Sequence, residues 1–190
     1  MNPLGFLTVV DHPDFGLFGG YLLLNRAARP LEFHCTAPIK PNRAQQILYG
    51  PTLEAFLYGE QIGRTLLEST AIVPAVVFTD RSPLMCVRQH EAPPPSALAT
   101  PVVLVLDAED VANKAIEATA VSPRGMAGCG PLETFTLGRN RLAVAESAAS
   151  DHRQVVERLA DLGEWFDLAE PFGRIREAIA EAQRTVRPAA

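Results

Sequence analysis

The sequence predicts an α/β (α+β) fold: a mixed, largely antiparallel sheet packed by helices, with a C-terminal pair of amphipathic helices. Three observations carry this expectation. Short apolar runs rich in β-branched and aromatic residues open the chain, separated by tight turn clusters, as in a strand meander. A proline-punctuated helical stretch follows, with an asparagine placed to cap it. The last third shows apolar residues at helical spacing.

Residues 5–10 form the first run and end in the turn cluster Asp11-His12-Pro13-Asp14. Residues 19–24 form the second. The third, 31–37, alternates: Leu31, Phe33, Cys35 and Ala37 share one face, Glu32, His34 and Thr36 the other. Such a strand is expected to lay its apolar face on the core and turn the other to water or a partner. Pro38 and Pro41 end it, because proline has no N–H for the ladder. Asn42 then caps a helix over 43–49. Gly50-Pro51 interrupts, and a second helix runs from about 52 to 69 with Leu53, Phe56, Leu57, Leu66 and Leu67 on its apolar side. Residues 74–79 read as a buried strand ending at Asp80, and 84–89 as its partner across a turn.

The run Ala92-Pro93-Pro94-Pro95-Ser96 is a linker signal. It divides the chain into an N-terminal unit (1–91), a linker (92–100) and a second segment (101–190), read together as one compact unit. Past it come a strand at 102–106, a helix from Asp107 to about 120, a loop at 123–131, and a hairpin (133–137 and 141–145) turning at Gly138-Arg139-Asn140. One terminal helix starts near Ser150-Asp151, with Val155, Val156, Leu159, Leu162 and Phe166 on a common face. The other starts at Glu170-Pro171, with Phe172, Ile175, Ile179 and Val186 on one face and Arg174, Glu177, Glu181 and Arg184 on the other.

With 190 residues, 47% apolar and 21% charged, the composition is that of a globular protein. A net charge of -5 argues against nucleic acid as a partner, and no apolar run reaches membrane-spanning length. The N-terminus lacks the basic segment of a signal peptide. Three widely spaced cysteines, Cys35, Cys86 and Cys129, suggest reduced thiols and a cytoplasmic location.

Several residue groups could carry chemistry. Lys40, Asn42 and Arg43 sit at a helix start, where free N–H groups and cations favour an anion. His34 and Cys35 with Cys86 and His90 offer zinc-type donors, but adjacent strand residues point to opposite faces, which disfavours a shared ion. Cys129 lies in a glycine-rich loop with no histidine nearby to act as its base. Trp165, Phe166 and Phe172 cluster at the joint of the terminal helices and suit an interface with a protein partner or a second copy.

Asp11 and Asp80 each follow an apolar strand, and Glu60 falls on the apolar stripe of the second helix. The order strand, strand, strand, helix, strand resembles the opening of RNase H-like nuclease folds. The resemblance covers roughly the first half of the chain and rests on element order, with no sequence motif. It implies carboxylates from the first strand, first helix and fourth strand gathering Mg²⁺ or Mn²⁺, for which Asp11, Glu60 and Asp80 are the matching positions.

Two expectations of function follow. The main one is a non-catalytic interaction, regulatory or adaptor protein without a cofactor, acting on a protein partner or as a homo-oligomer. The alternative is a divalent-metal-dependent phosphodiester hydrolase using Asp11, Glu60 and Asp80.

Overall fold

The computed structural model describes residues 2–88, 100–106, 131–159, 162 and 166–186. Seven strands form one open sheet: β1 (Leu4–His12), β2 (Gly16–Leu24), β3 (Pro30–Cys35), β4 (Val76–Thr79), β5 (Val102–Leu106), β6 (Leu132–Leu137) and β7 (Asn140–Ala145). Their spatial order is β3-β2-β1-β4-β5-β7-β6. β1 pairs parallel with β4, and β4 with β5. The pairs β1–β2, β2–β3, β5–β7 and β6–β7 are antiparallel. The α/β expectation therefore holds, with a mixed sheet built about a parallel centre. The predicted strand over 84–89 is instead part of a 3-10 helix, Ser82–Arg88. Its Leu84, Met85, Cys86 and Val87 are all buried, so this apolar run serves the core as a helix.

Between β3 and β4 the chain climbs one face of the sheet. Helix α1 (Arg43–Tyr49) begins at a capping box: Gln45 N–H donates to Asn42 Oδ1 at 2.9 Å, and Asn42 N–H donates to Gln45 Oε1 at 3.0 Å. A 3-10 turn over Gly50–Thr52 leads into α2 (Leu53–Ala55), a π-helical stretch (Phe56–Arg64) and α3 (Thr65–Glu68). Gly59 and Gly63 in the π-helical stretch lie against the Ser82–Arg88 helix. Two further helices, α4 (Ala149–Leu159) and α5 (Glu170–Val186), cover the opposite face.

Strand alternation divides the core. Leu4 and Phe6 of β1 face α4 and α5, packing with Phe78, Val155, Phe166, Phe172 and Ile175. Leu7 and Val9 face the other way, onto Leu57, Ile62, Leu66 and Leu67. Phe6 is the aromatic centre of the first layer, with ring centroids 5.3 Å from Phe78, 6.2 Å from Phe166 and 5.7 Å from Phe172. Gly20 on β2 lets α5 approach closely, since a Cβ there would run into Ile175. Buried Asn140 stitches the β6–β7 hairpin to the start of α5: it donates to Phe166 O at 2.9 Å and accepts from Leu168 N at 3.0 Å.

β3 reverses the expected orientation. Leu31 and Phe33 are 48% and 39% exposed. The strand order explains this: β3 is the sheet edge, and the helices cover the interior strands more fully. Among the described residues, no helix is long and apolar enough to cross a membrane.

Candidate functional site

Three neighbouring parallel strands bring their C-terminal ends to one side of the sheet, the usual location of sites in open α/β sheets. At this side β4 ends in Thr79 and the chain turns through Asp80. The Thr79 hydroxyl fixes the turn, accepting from Arg81 N at 3.1 Å and donating to Arg81 O at 3.3 Å. Leu7 pairs with Thr79, so Thr8 and Asp80 are next in register on β1 and the end of β4. The fully buried Thr8 hydroxyl donates to Asp80 Oδ1 at 2.5 Å. Arg176, on α5, donates from its guanidinium to Asp80 Oδ2. The Asp80 side chain is only 9% exposed, while that of Arg176 is 42% exposed. A nearly buried carboxylate is thus held by a buried hydroxyl and a guanidinium that still reaches solvent. The guanidinium has five N–H donors, so it keeps capacity for an anion.

Tyr58, in the π-helical stretch, marks the other side of this corner. Burial pushes its phenol pKa up, and the charges of Glu54, Asp11 and Asp80 add to that, opposed by Arg81. Asp11, Asp80 and Glu54 therefore act on one hydroxyl. They do not form a ligand cluster. Asp11 lies three residues beyond Thr8, roughly 10 Å along the strand, and by parity on the opposite face. Glu60 belongs to the helical layer over that opposite face. Among the described residues, no three His, Cys, Asp or Glu side chains are grouped to hold a metal ion. The trio Asp11, Glu60 and Asp80 is thus not brought together. A divalent ion needs several hard oxygen donors, and of the three Asp80, on the α5 face, is already engaged by a cation. The described residues do not fit a two-metal centre.

The remaining predicted sites are also dispersed. Lys40 donates to the backbone oxygen of Asp14, and the Asn42 side-chain oxygen is spent on its cap. Arg43 makes a long 3.4 Å bond to Gln46. His34 pairs with Glu32 at 3.0 Å, and Thr70 donates to the same carboxylate at 2.6 Å. Cys35 is a free, exposed thiol on the edge strand, whereas Cys86 is buried. His90, Cys129 and Trp165 lie outside the described residues. Phe166 and Phe172 are 5% and 1% exposed. Phe166 and Phe172 of the aromatic joint predicted as an interface are core.

Sequence reasoning missed Arg176 and Thr8. Arg176 is one of several charged residues along α5, and Thr8 is a β-branched residue inside a strand. Nothing local distinguishes either.

No family model matches the chain, and none of the curated proteins matches it. Solved structures do. A crystal structure of Ciona intestinalis Endonuclease V, in complex with a 24mer DNA containing an inosine followed by a ribo-adenosine, matches with a TM-score of 0.44 and 9% identity. The match covers 95% of this chain and 87% of that one. A variant of that enzyme with a 23mer DNA matches with a TM-score of 0.37 and 11% identity, over 80% and 76% of the two chains. The expectation of a non-catalytic interaction or adaptor protein, with a protein partner or homo-oligomer and without nucleic acid, is withdrawn. One of the features that suggested it, the aromatic joint, has Phe166 and Phe172 buried in the chain's own core.

Proposed function

We propose that this chain acts on nucleic acid, holding a phosphodiester at the corner formed by the ends of β1 and β4. The observation that carries the reading is the Thr8–Asp80–Arg176 arrangement. Asp80 orients the guanidinium, and the exposed part of Arg176 presents donors whose planar geometry suits a phosphate. Exposed Arg81, beside Asp80 in the chain, adds a second cation at the same corner. Thr8 satisfies the other carboxylate oxygen, so Asp80 is anchored from both sides.

Cleavage of the phosphodiester is the second reading. It is supported by the element order three strands, helices, strand.

Fluorescence anisotropy with labelled single-stranded DNA and RNA tests both. Binding should weaken as salt rises, and Arg176→Gln should lower the salt slope by about 1, the signature of one lost phosphate contact. Salt-independent binding, or an unchanged slope in Arg176→Gln, would rule out the phosphate role. Incubating the same samples with Mg²⁺ or Mn²⁺ decides the second reading: cleavage lost in Asp80→Asn supports it, and intact substrate removes it.

A further inference from the structure

A separate cavity of about 290 Å³ lies between the β2–β3 edge and the last turns of α5. Phe15, Phe18, Ile179, Ala182, Cys35 and Gln183 line it, and among the described residues no charged side chain does. His12 backs the aromatic wall, its ring centroid 4.7 Å from Phe15 and 6.4 Å from Phe18. Phe18 is nearly buried at 8% exposure, whereas Phe15 is 46% exposed and stands at the opening. Asp80, Arg176 and Tyr58 do not line this cavity, so it is distinct from the phosphate corner.

We propose that this cavity is a binding site for a small, uncharged, flat aromatic molecule. Charge is excluded because desolvating an ion against these walls would go uncompensated. Flatness follows from the two phenylalanine rings, which reward face or edge contact with another ring. The size sets the ligand at one or two fused rings, since pockets for drug-sized ligands run from ~300 to 1,000 Å³. Gln183 supplies an amide donor and acceptor to orient a single polar edge. The free thiol of Cys35 sits in the same lining and reports occupancy directly.

The test uses the neutral fluorophore N-phenyl-1-naphthylamine with the full chain. Its fluorescence should rise saturably on mixing. Ala182→Trp, which fills the cavity, should weaken binding at least about tenfold. Phe15→Ala, on an exposed turn, should weaken it by a smaller factor while leaving the fold intact. Saturating probe should also slow alkylation of Cys35 by iodoacetamide, read by mass spectrometry of the Cys35 peptide. Equal binding in both variants, or unchanged Cys35 alkylation, would overturn the proposal. So would a doubling of mass with loss of probe binding as protein concentration rises, which would assign the cavity to a second copy of the chain. Displacement of the probe by oligonucleotide would likewise assign it to nucleic acid instead.

Discussion

Thr8 and Asp80 meet across the parallel pairing of β1 and β4, where the threonine hydroxyl donates to the aspartate Oδ1 at 2.5 Å. Arg176 closes the other side of the carboxylate from α5. The corner therefore depends on three elements distant in sequence, and its energetics are open to direct measurement.

Breaking the corner from the helix side should cost stability through Asp80. Arg176→Met leaves a nearly buried carboxylate with the Thr8 hydroxyl as its remaining side-chain partner. The expected loss is about 1–3 kcal/mol, towards the lower end because the guanidinium side chain is 42% exposed. In an Asp80→Asn background the same change should cost under about 0.5 kcal/mol. Urea unfolding of the four proteins measures the coupling. Equal losses in both backgrounds would show that the pair contributes nothing to folding.

Tyr21 offers the opposite case. Its ring is fully buried, and its hydroxyl has no hydrogen-bond partner among the described residues. Burial drives the phenol pKa strongly upward, with Glu32 adding to the effect. The hydroxyl packs under Gly5, where an added Cβ would lie 2.7 Å from it. Tyr21→Phe removes the unsatisfied group and should be neutral or stabilising by about 1 kcal/mol. Gly5→Ala should destabilise the wild type more than it destabilises Tyr21→Phe. Thermal melts decide both points, and a clear loss in Tyr21→Phe would mean that the hydroxyl has a partner in solution.

Glu32 on β3 supplies a pH dependence. The Thr70 hydroxyl, then His34, hold its carboxyl below the ordinary value of 4.5. A depressed folded-state pKa stabilises the protein above the unfolded-state value, and that stability is lost as pH falls through the folded value. Comparing wild type with Glu32→Gln, the melting-temperature difference should be constant near neutrality and shrink below about pH 4.5. The effect should be small because the carboxylate still reaches solvent, its side chain being 34% exposed. A difference that grows on acidification would reverse the assigned sign.

Much of the fold was legible because its signals are local. The turn cluster after Val10, the proline stops at Pro38 and Pro41, the Asn42 cap and the Gly138 turn each act within a few residues, and the elements start and stop near them. The 3.6-residue spacing marked Phe172, Ile175 and Ile179 as one face. Local signals failed where burial depends on neighbours. Residues 84–87 are apolar enough for a strand, yet they pack as a 3-10 helix against the π-helical stretch. The apolar face of β3 is exposed because β3 became an edge.

The sequence by itself determined the α/β class, the meander and most element positions, since backbone preference and hydrophobic period are written in consecutive residues. Tertiary structure alone decided which carboxylate is held between β1, β4 and α5. Asp11, Glu60 and Asp80 are equally visible as acidic residues beside apolar runs, but strand parity sends Asp11 away from Asp80, and parallel register gives Asp80 a threonine. The partner that completes the corner, Arg176, is 96 residues distant. It arrives there only because α5 packs its aromatic and aliphatic face across β1 and β2, and no local pattern encodes that docking angle.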